Sequence, residues 1–575
     1  MNGEFQVSGR NAAALFTLKL HRGDGMTLVA MNWKDGKPPP DFVGFAIEYK
    51  EPGGQKFFAL KNRLSFPGAG DDVNANRLST RLSPIQKFRW VHFPRNAELP
   101  GEFVYRVTPV FMNDDDELNY GEPQEAAIEL RRETYPGVLN VTFTRGFVSS
   151  QAFVDRYVSK KDGISTLLPE KADDGLDFVP THPKAEEALA WMGFEARHAV
   201  LEVLDQAIKD KKAQVRVVAY DLSERDVVSR LEELGNRLRI VIDDSAAHGK
   251  PDSAETQAQE RLKASAGDDN VKRQHMGNLQ HNKTIVVDGP KVQAVVCGST
   301  NFTWRGFFVQ SNNAVVLRGK NAVKPFLAAF EDYWQNDDVA GFGKTASAKW
   351  TDLKLSGLDA QVAFSPHSSQ NALLAKIAAD IGQKTTSNLF YSLAFLFQTK
   401  GPIRDAIEKV SKSNAIFVYG ISDKKVGGLD LQKPDGNVSP VFPAALTKNL
   451  PEPFKSEPTG LSGGVGTRMH HKFVVIDFDK ATARVYLGSY NFSSPADIKN
   501  GENLLLIRDR RIAVSYVVEA LRIFDHYHFR VVQLKAKKAK KKLQLAKPPR
   551  KPGEKPWWTE DYTNARKIRD RELFA

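Results

Sequence analysis

A chain of 575 residues is too long for one hydrophobic core, so several domains of ordinary size are expected. Hydrophobic residues make up 41% and charged residues 26%, which excludes wholesale disorder, while a single cysteine, Cys297, excludes intrachain disulfides and any cysteine-based zinc site. The formal charge of +12 sets up a field that attracts polyanions, either nucleic acid or an anionic membrane surface.

The opening residues, MNGEFQVSGRNAAALFTLKLHRGDG, carry no apolar run of signal-peptide length, and nowhere do about 18 uncharged apolar residues run together. The cytoplasm is therefore the expected address. Residues 1–135 read as strands separated by turn clusters, with MTLVAMNW, VGFAIEYK and FVYRVTPVF as the clearest β runs. In the second run Phe45, Ile47 and Tyr49 alternate with Gly44, Ala46 and Glu48, the period of a half-buried strand. The stretch LPGEFVYRV, with Tyr105 as an anchoring tyrosine, resembles the fibronectin type III and immunoglobulin-like sandwiches.

From residue 137 the texture changes to strands alternating with amphipathic helices, the signal of an α/β unit. Leu189, Met192, Ala196, Ala199, Val203 and Ile208 recur at helical spacing after Pro183, and core packing explains the stripe. A strand VRVVAY, a helix over 223–234 and an apolar run RLRIVID follow. The order then repeats as a helix around NALLAKIAADIG, the strand NLFYSLAFLF, a helix after Pro402 and the strand AIFVYGI. The expected organisation is a β-sandwich over 1–135, one α/β half over 137–345, a second over 359–532 and a basic C-terminal tail over 533–575. In that tail KAKKAKKKLQLAKPPRKPGEK reads as a solvated basic stretch, with a polyanion-binding arm as the alternative.

Each half ends in the same motif. The first reads HNKTIVVDG and then GSTNFTW, which supplies His281, Lys283, Asp288, Gly298, Ser299 and Asn301. The second reads HHKFVVIDF and then GSYNFSS, which supplies His470, Lys472, Asp477, Gly488, Ser489 and Asn491. Eleven residues beyond each asparagine stand Asn312 and Glu502, each at the start of an apolar strand. One His-x-Lys-x4-Asp arises by chance, but two extended copies at corresponding points of a duplicated domain do not.

His and Lys two apart on a strand project from one face. A neutral imidazole there can attack phosphorus while the ammonium neutralises phosphate oxygens, and the GSxN turn adds hydroxyl, amide and backbone donors, so Ser299 and Ser489 are candidate phosphate contacts. The other imidazole must protonate the leaving oxygen and later take a proton from water. No set of carboxylates, histidines or cysteines shows metal-ligand spacing, so no metal and no cofactor are expected, and activity should survive chelator.

The paired motifs resemble the phospholipase D superfamily over residues 137–530. The resemblance implies two α/β domains about a pseudo-two-fold axis, one active site between them, and a phosphohistidine intermediate. It further implies that Asp288 and Asp477 hold strand and loop together and that Glu502 orients a catalytic imidazole. Tyrosyl-DNA phosphodiesterases look similar in pairing an amide in the first half, here Asn312, with a glutamate in the second. That analogy makes His281 the nucleophile and His470 the general acid and base.

Three functions fit: a nuclease, favoured by the basic charge; a phospholipase D or phosphatidyl transferase; and a binding or sensor protein that has lost the reaction. Nucleic acid is thus the expected partner, with an anionic phospholipid surface second; one chain holds both half-sites, so a monomer is sufficient and a dimer is an alternative. His471 reads as a packing residue on the opposite strand face, and His275 and His367 as loop histidines that could line a cleft. Phe302, Trp304 and Phe492 read as rim packing, with stacking on substrate as the alternative.

Overall fold

The computed structural model describes residues 4–62, 64–68, 78–130, 133–146, 156–158, 161–393, 396, 401–423, 429–432, 438–441 and 469–575. It divides into two compact units, one comprising Met1–Arg132, Gln432–Val438 and Val514–Ala575, the other Glu133–Leu431 and Ser439–Ala513.

The first unit is built on a sandwich of two antiparallel sheets. One runs in the order Gln6–Ser8, Phe16–Arg22, Thr27–Trp33, Arg89–His92; the other runs Phe58–Ala59, Phe42–Lys50, Glu102–Met112, Leu118–Tyr120, with Gln124–Glu129 also paired to Glu102–Met112. Alternation does the work expected of it: Phe16, Leu18, Val29 and Met31 from the first sheet meet Phe45, Ile47, Phe103 and Val107 from the second in one core. Tyr105 is fully buried in that core, and its hydroxyl lies 3.0 Å from His92 Nδ1.

Residues 533–575 depart from the expected solvated tail. The helix Arg510–Lys538 covers the first of them, and two further helices, Thr559–Thr563 and Ala565–Phe574, close the chain. Trp558 is buried in the sandwich core, and Trp557 stacks on Phe88 with ring centroids 5.3 Å apart. Arg89 pairs with both Asp525, at 2.5 Å, and Asp570, at 2.8 Å. The lysine-rich composition hid Trp558 and Phe574, which are buried, and the half-buried Trp557, apolar surface that holds the segment down despite its charge. The lysines at 538 and 540–542 are exposed, as a charged run should be.

The second unit is mixed α/β and internally duplicated. Its first sheet runs in the order Leu139–Phe143, Asn313–Arg318, Gln293–Gly298, Lys283–Asp288, Gln214–Ala219, Leu238–Ile242, Val271–Arg273. Its second repeats that order as Asp359–Ser365, Glu502–Arg508, Arg484–Gly488, Lys472–Ile476, Asn388–Leu393, Phe417–Asp423, with the short Thr351–Asp352 outside the first of these and Leu429–Gln432 and Val438–Val441 beyond the last. In each sheet a parallel pair, Gln214–Ala219 with Leu238–Ile242 and Asn388–Leu393 with Phe417–Asp423, adjoins the antiparallel motif strand. Helices cover the sheets. Ala185–Lys209 buries Leu189, Met192, Ala196, Ala199 and Val203 of the stripe read from the sequence and leaves Ile208 half-buried, and Pro402 stands at the first turn of Pro402–Ser411, where its missing N–H costs nothing.

Candidate active site

The strand Lys283–Asp288 is central in its sheet, as is Lys472–Ile476 in the other, so each motif histidine stands just before a strand held on both sides. The start of each motif strand is then locked to the opposite half. Gln280 bridges to Gly501 and Met469 to Ser311 in parallel register, so the residue before each histidine pairs with the residue before Glu502 or Asn312 of the other half. His281 and His470 are thereby brought together edge-on, with ring centroids 6.4 Å apart, close enough to share one phosphorus atom's ligands.

The orienting groups are exchanged between halves. Glu502 Oε2, from the second, lies 2.7 Å from His281 Nδ1 of the first, and Asn312 Oδ1, from the first, lies 2.8 Å from His470 Nδ1 of the second. Each ring therefore has its Nδ1 engaged, which leaves Nε2 as the reacting atom. Lys472 Nζ donates to the His470 carbonyl at 2.8 Å, and Lys283 Nζ makes the matching bond to the His281 carbonyl.

Both rings are buried, His281 at 4% and His470 at 7% exposure. Burial, reinforced by the charges of Lys283, Lys472 and His470, holds the His281 imidazole well below its ordinary value, and burial with the same two lysines does so for His470. Burial lowers Lys283 to about 8 and, with the charge of Lys283 added, lowers Lys472 as well. Burial pushes Glu502 up to about 8 against the pull of Lys283. When Glu502 is ionised, the Nδ1–H of a neutral His281 donates to it and Nε2 carries the lone pair, in a pocket where a diester anion meets Lys283 and Lys472.

Several expected residues take other roles. Ser299 Oγ donates to Asn312 Oδ1 at 2.9 Å and accepts from Asn313 N at 3.1 Å; Ser489 Oγ accepts from Asn503 N at 3.0 Å. The hydroxyls expected to meet phosphate are thus spent bracing the strand that carries Asn312 or Glu502, because a fully buried hydroxyl must be satisfied locally. Gly298 and Gly488 carry φ of +129° and +141°, and a Cβ on either would run into the carbonyl of Asn313 or Asn503, so the turn admits only glycine. Asp477 accepts from the backbone of Thr386, Ser387 and Asn388, the strand-and-loop clamp expected of it. Asp288 instead accepts from Gln293 Nε2 at 3.2 Å across a hairpin, and the loop clamp in the first half falls to Asp210, which accepts from Lys291 N at 2.8 Å.

His367 is buried 2.7 Å from Asp497, whose carboxylate also accepts from Leu373 N and Leu374 N, so it anchors a helix start rather than lining a cleft. His275 is more than half exposed beside Asp244. His471 packs edge-on against Phe143 and Phe473, and Phe302, Trp304 and Phe492 are buried, as packing residues are.

The sequence reading missed a set around the first histidine. Tyr220 lies 4.6 Å from His281 ring to ring, with Lys283 Nζ 4.6 Å from its centroid. Asp221 accepts from Asn301 Nδ2 at 2.5 Å, and His248 spans Asp221 and Asp243. Asp221, His248 and Glu255 bring donor atoms within 4.8 Å of one another, a grouping no sequence spacing announced; both His248 nitrogens already face carboxylates there. The available signal was position: Tyr220–Asp221 and Asp243 follow the C-terminal ends of adjacent parallel strands, where α/β folds gather ligands.

Duplicated sheets of this order, with two His-x-Lys motifs joined at their interface, define the class, and the chain belongs to the phospholipase D superfamily. Residues 204–334 and 391–524 match the family described as cardiolipin synthase, PLD-like domain. A phospholipase D of Rickettsia prowazekii (strain Madrid E) is 30% identical over 117 residues, 19% of this chain and 55% of that protein, so the chain spans about half the length of the curated relative. Among solved structures, phosphatidylserine synthase from Haemophilus influenzae Rd KW20 is 14% identical over 60% of this chain and 92% of that one, with a TM-score of 0.41. The phospholipase D family member Nuc from Salmonella typhimurium is 30% identical over 24% of this chain and 87% of that one, with a TM-score of 0.21.

Proposed function

We propose that the protein is a phosphodiesterase working through a phosphohistidine on His281, with His470 as general acid and base. The observation that carries this reading is the unequal pairing of the rings: a carboxylate, Glu502, on His281 and a neutral amide, Asn312, on His470. A carboxylate raises the nucleophilicity of a ring and offsets the positive charge it acquires on forming an N–P bond, whereas an amide only orients. His281 Nε2 attacks phosphorus as the bond to the leaving oxygen breaks, and His470, protonated in the loaded site, gives that oxygen its proton. Water then attacks the phosphohistidine, its proton passes to His470, and the N–P bond breaks to regenerate free His281. Lys283, Lys472, Asn301 and Asn491 hold the non-bridging oxygens.

The names of the relatives favour a phospholipid as the diester cleaved, and the charge of +12 favours nucleic acid as a second reading. An aryl phosphodiester with a good leaving group tests the mechanism, because such a group needs no acid. His470→Ala should release about one equivalent of aryl alcohol in a burst and retain base-stable, acid-labile phosphate on the protein; His281→Ala should do neither. A burst in His281→Ala with none in His470→Ala would reverse the two roles. The wild type with phosphatidylcholine vesicles, single-stranded DNA, duplex DNA and RNA, each in chelator, separates the substrates; cleavage of none of them would leave the reading without support.

A further inference from the structure

We propose that His248 is a positioning residue that fixes the anion-binding Asn301 through Asp221. The inference rests on the reading of Asn301 as a phosphate donor and adds to it a brace built into the first half.

His248 follows the strand Leu238–Ile242 and reaches back over the end of its parallel neighbour Gln214–Ala219. Its Nε2 lies 2.8 Å from Asp221 Oδ1 and its Nδ1 2.7 Å from Asp243 Oδ2. The second oxygen of each carboxylate is aimed at the active site. Asp221 Oδ2 holds the amide of Asn301, and Asp243 Oδ1 accepts from the backbone N–H of Gln280 at 2.6 Å, one residue before His281. Tyr220 fills the space between, its ring 4.6 Å from both His248 and His281.

An imidazolium with two donors suits the buried Asp243 and half-buried Asp221 carboxylates, since without it adjacent like charges would repel. Burial alone would lower His248; the Asp221 charge and the hydrogen bonds to Asp221 and Asp243 outweigh it and push the group up to about 11. Glu255, the remaining carboxyl of the cluster, accepts from Leu222 N and is pushed by burial up to about 7. One N–H of the Asn301 amide is thus committed to Asp221, which sets the plane in which the other faces the anion.

The second half repeats only part of this set in sequence: Asp423 follows Ser422, the partner of Leu393, as Asp243 follows Ile242, the partner of Ala219. Leu393 pairs with Lys472 as Ala219 pairs with Lys283, so the sequence positions matching Tyr220 and Asp221 are Ala394 and Phe395, neither of which carries a charge. The brace therefore serves the half that carries the proposed nucleophile.

A binding cycle with the full chain tests this without turnover, using inorganic tungstate as the phosphate-like anion and calorimetry as the readout. His248→Gln should weaken tungstate about tenfold, as loss of an outer-layer partner does. Asn301→Ala should weaken it at least as much, and His248→Gln should add nothing in the Asn301→Ala background, because the two changes break one link. If His248→Gln loses the fold, Asp221→Asn, equal in size, takes its place in the cycle. Unchanged binding in the single variant, or effects that multiply in the double variant, would overturn the brace while leaving the phosphodiesterase reading intact. Failure of the wild type to bind tungstate would remove the anion site itself, and the brace with it.

Discussion

Lys283 and Lys472 bring two ammonium groups into a buried space that His281 and His470 share, and the cost of doing so has measurable consequences. Lys283 is lowered to about 8 by burial, so in the free enzyme its charge is present below that pH and lost above it, well before an ordinary lysine would titrate. The ratio kcat/KM, which reports the free enzyme, should fall as pH rises through about 8, and Lys283→Arg should move that limb upward. An alkaline limb at the same pH in Lys283→Arg would assign it to another group. Lys472 is lowered by burial and by Lys283, so folding disfavours the charged form of this side chain. Lys472→Met should abolish turnover yet stabilise the fold by about 1 to 2 kcal/mol, seen as a rise of a few degrees in Tm.

At the scale of elements, each strand carrying an orienting group is braced by the serine of its own GSxN turn, and the two halves are joined by bridges just ahead of the motif strands rather than by those strands themselves. The motif aspartates are unequal for a reason visible at this scale. Asp477 is fully buried and gathers three backbone N–H groups and the Thr386 hydroxyl at the start of Asn388–Leu393, whereas Asp288 is half-buried at a hairpin end. Asp477→Ala should cost about 2 to 4 kcal/mol in urea unfolding and Asp288→Ala less than about 1. Equal losses would mean that the two loops are held alike.

At the scale of the molecule, one chain supplies both half-sites, each oriented by the other. Mixing His281→Ala with His470→Ala should restore no activity, since each chain carries one defective site; recovery on mixing would show exchange of halves between chains. In the other unit, the C-terminal segment is structural: Trp558 lies in the sandwich core and the Phe574 carbonyl meets His21 Nε2 at 2.6 Å. Trp558→Ala should destabilise that unit by about 3 kcal/mol, measurable as earlier proteolysis of the sandwich.

Much of this was legible in the sequence, because strand alternation, helical spacing and a motif repeated in register are local patterns that survive without coordinates. The two histidines, two lysines, two asparagines, Asn312 and Glu502 could all be named in that way. Which ring Glu502 holds could not, since the exchange across the halves depends on how Gln280 meets Gly501 and Ser311 meets Met469. The set of Tyr220, Asp221, Asp243 and His248 escaped for a related reason: its members lie on two strand ends and a loop, and only the parallel pairing of Gln214–Ala219 with Leu238–Ile242 makes them neighbours. The sequence by itself determined the reacting groups and their duplication. The tertiary structure alone decided which residue orients which, because hydrogen bonds between distant segments are set by packing and register, not by spacing along the chain.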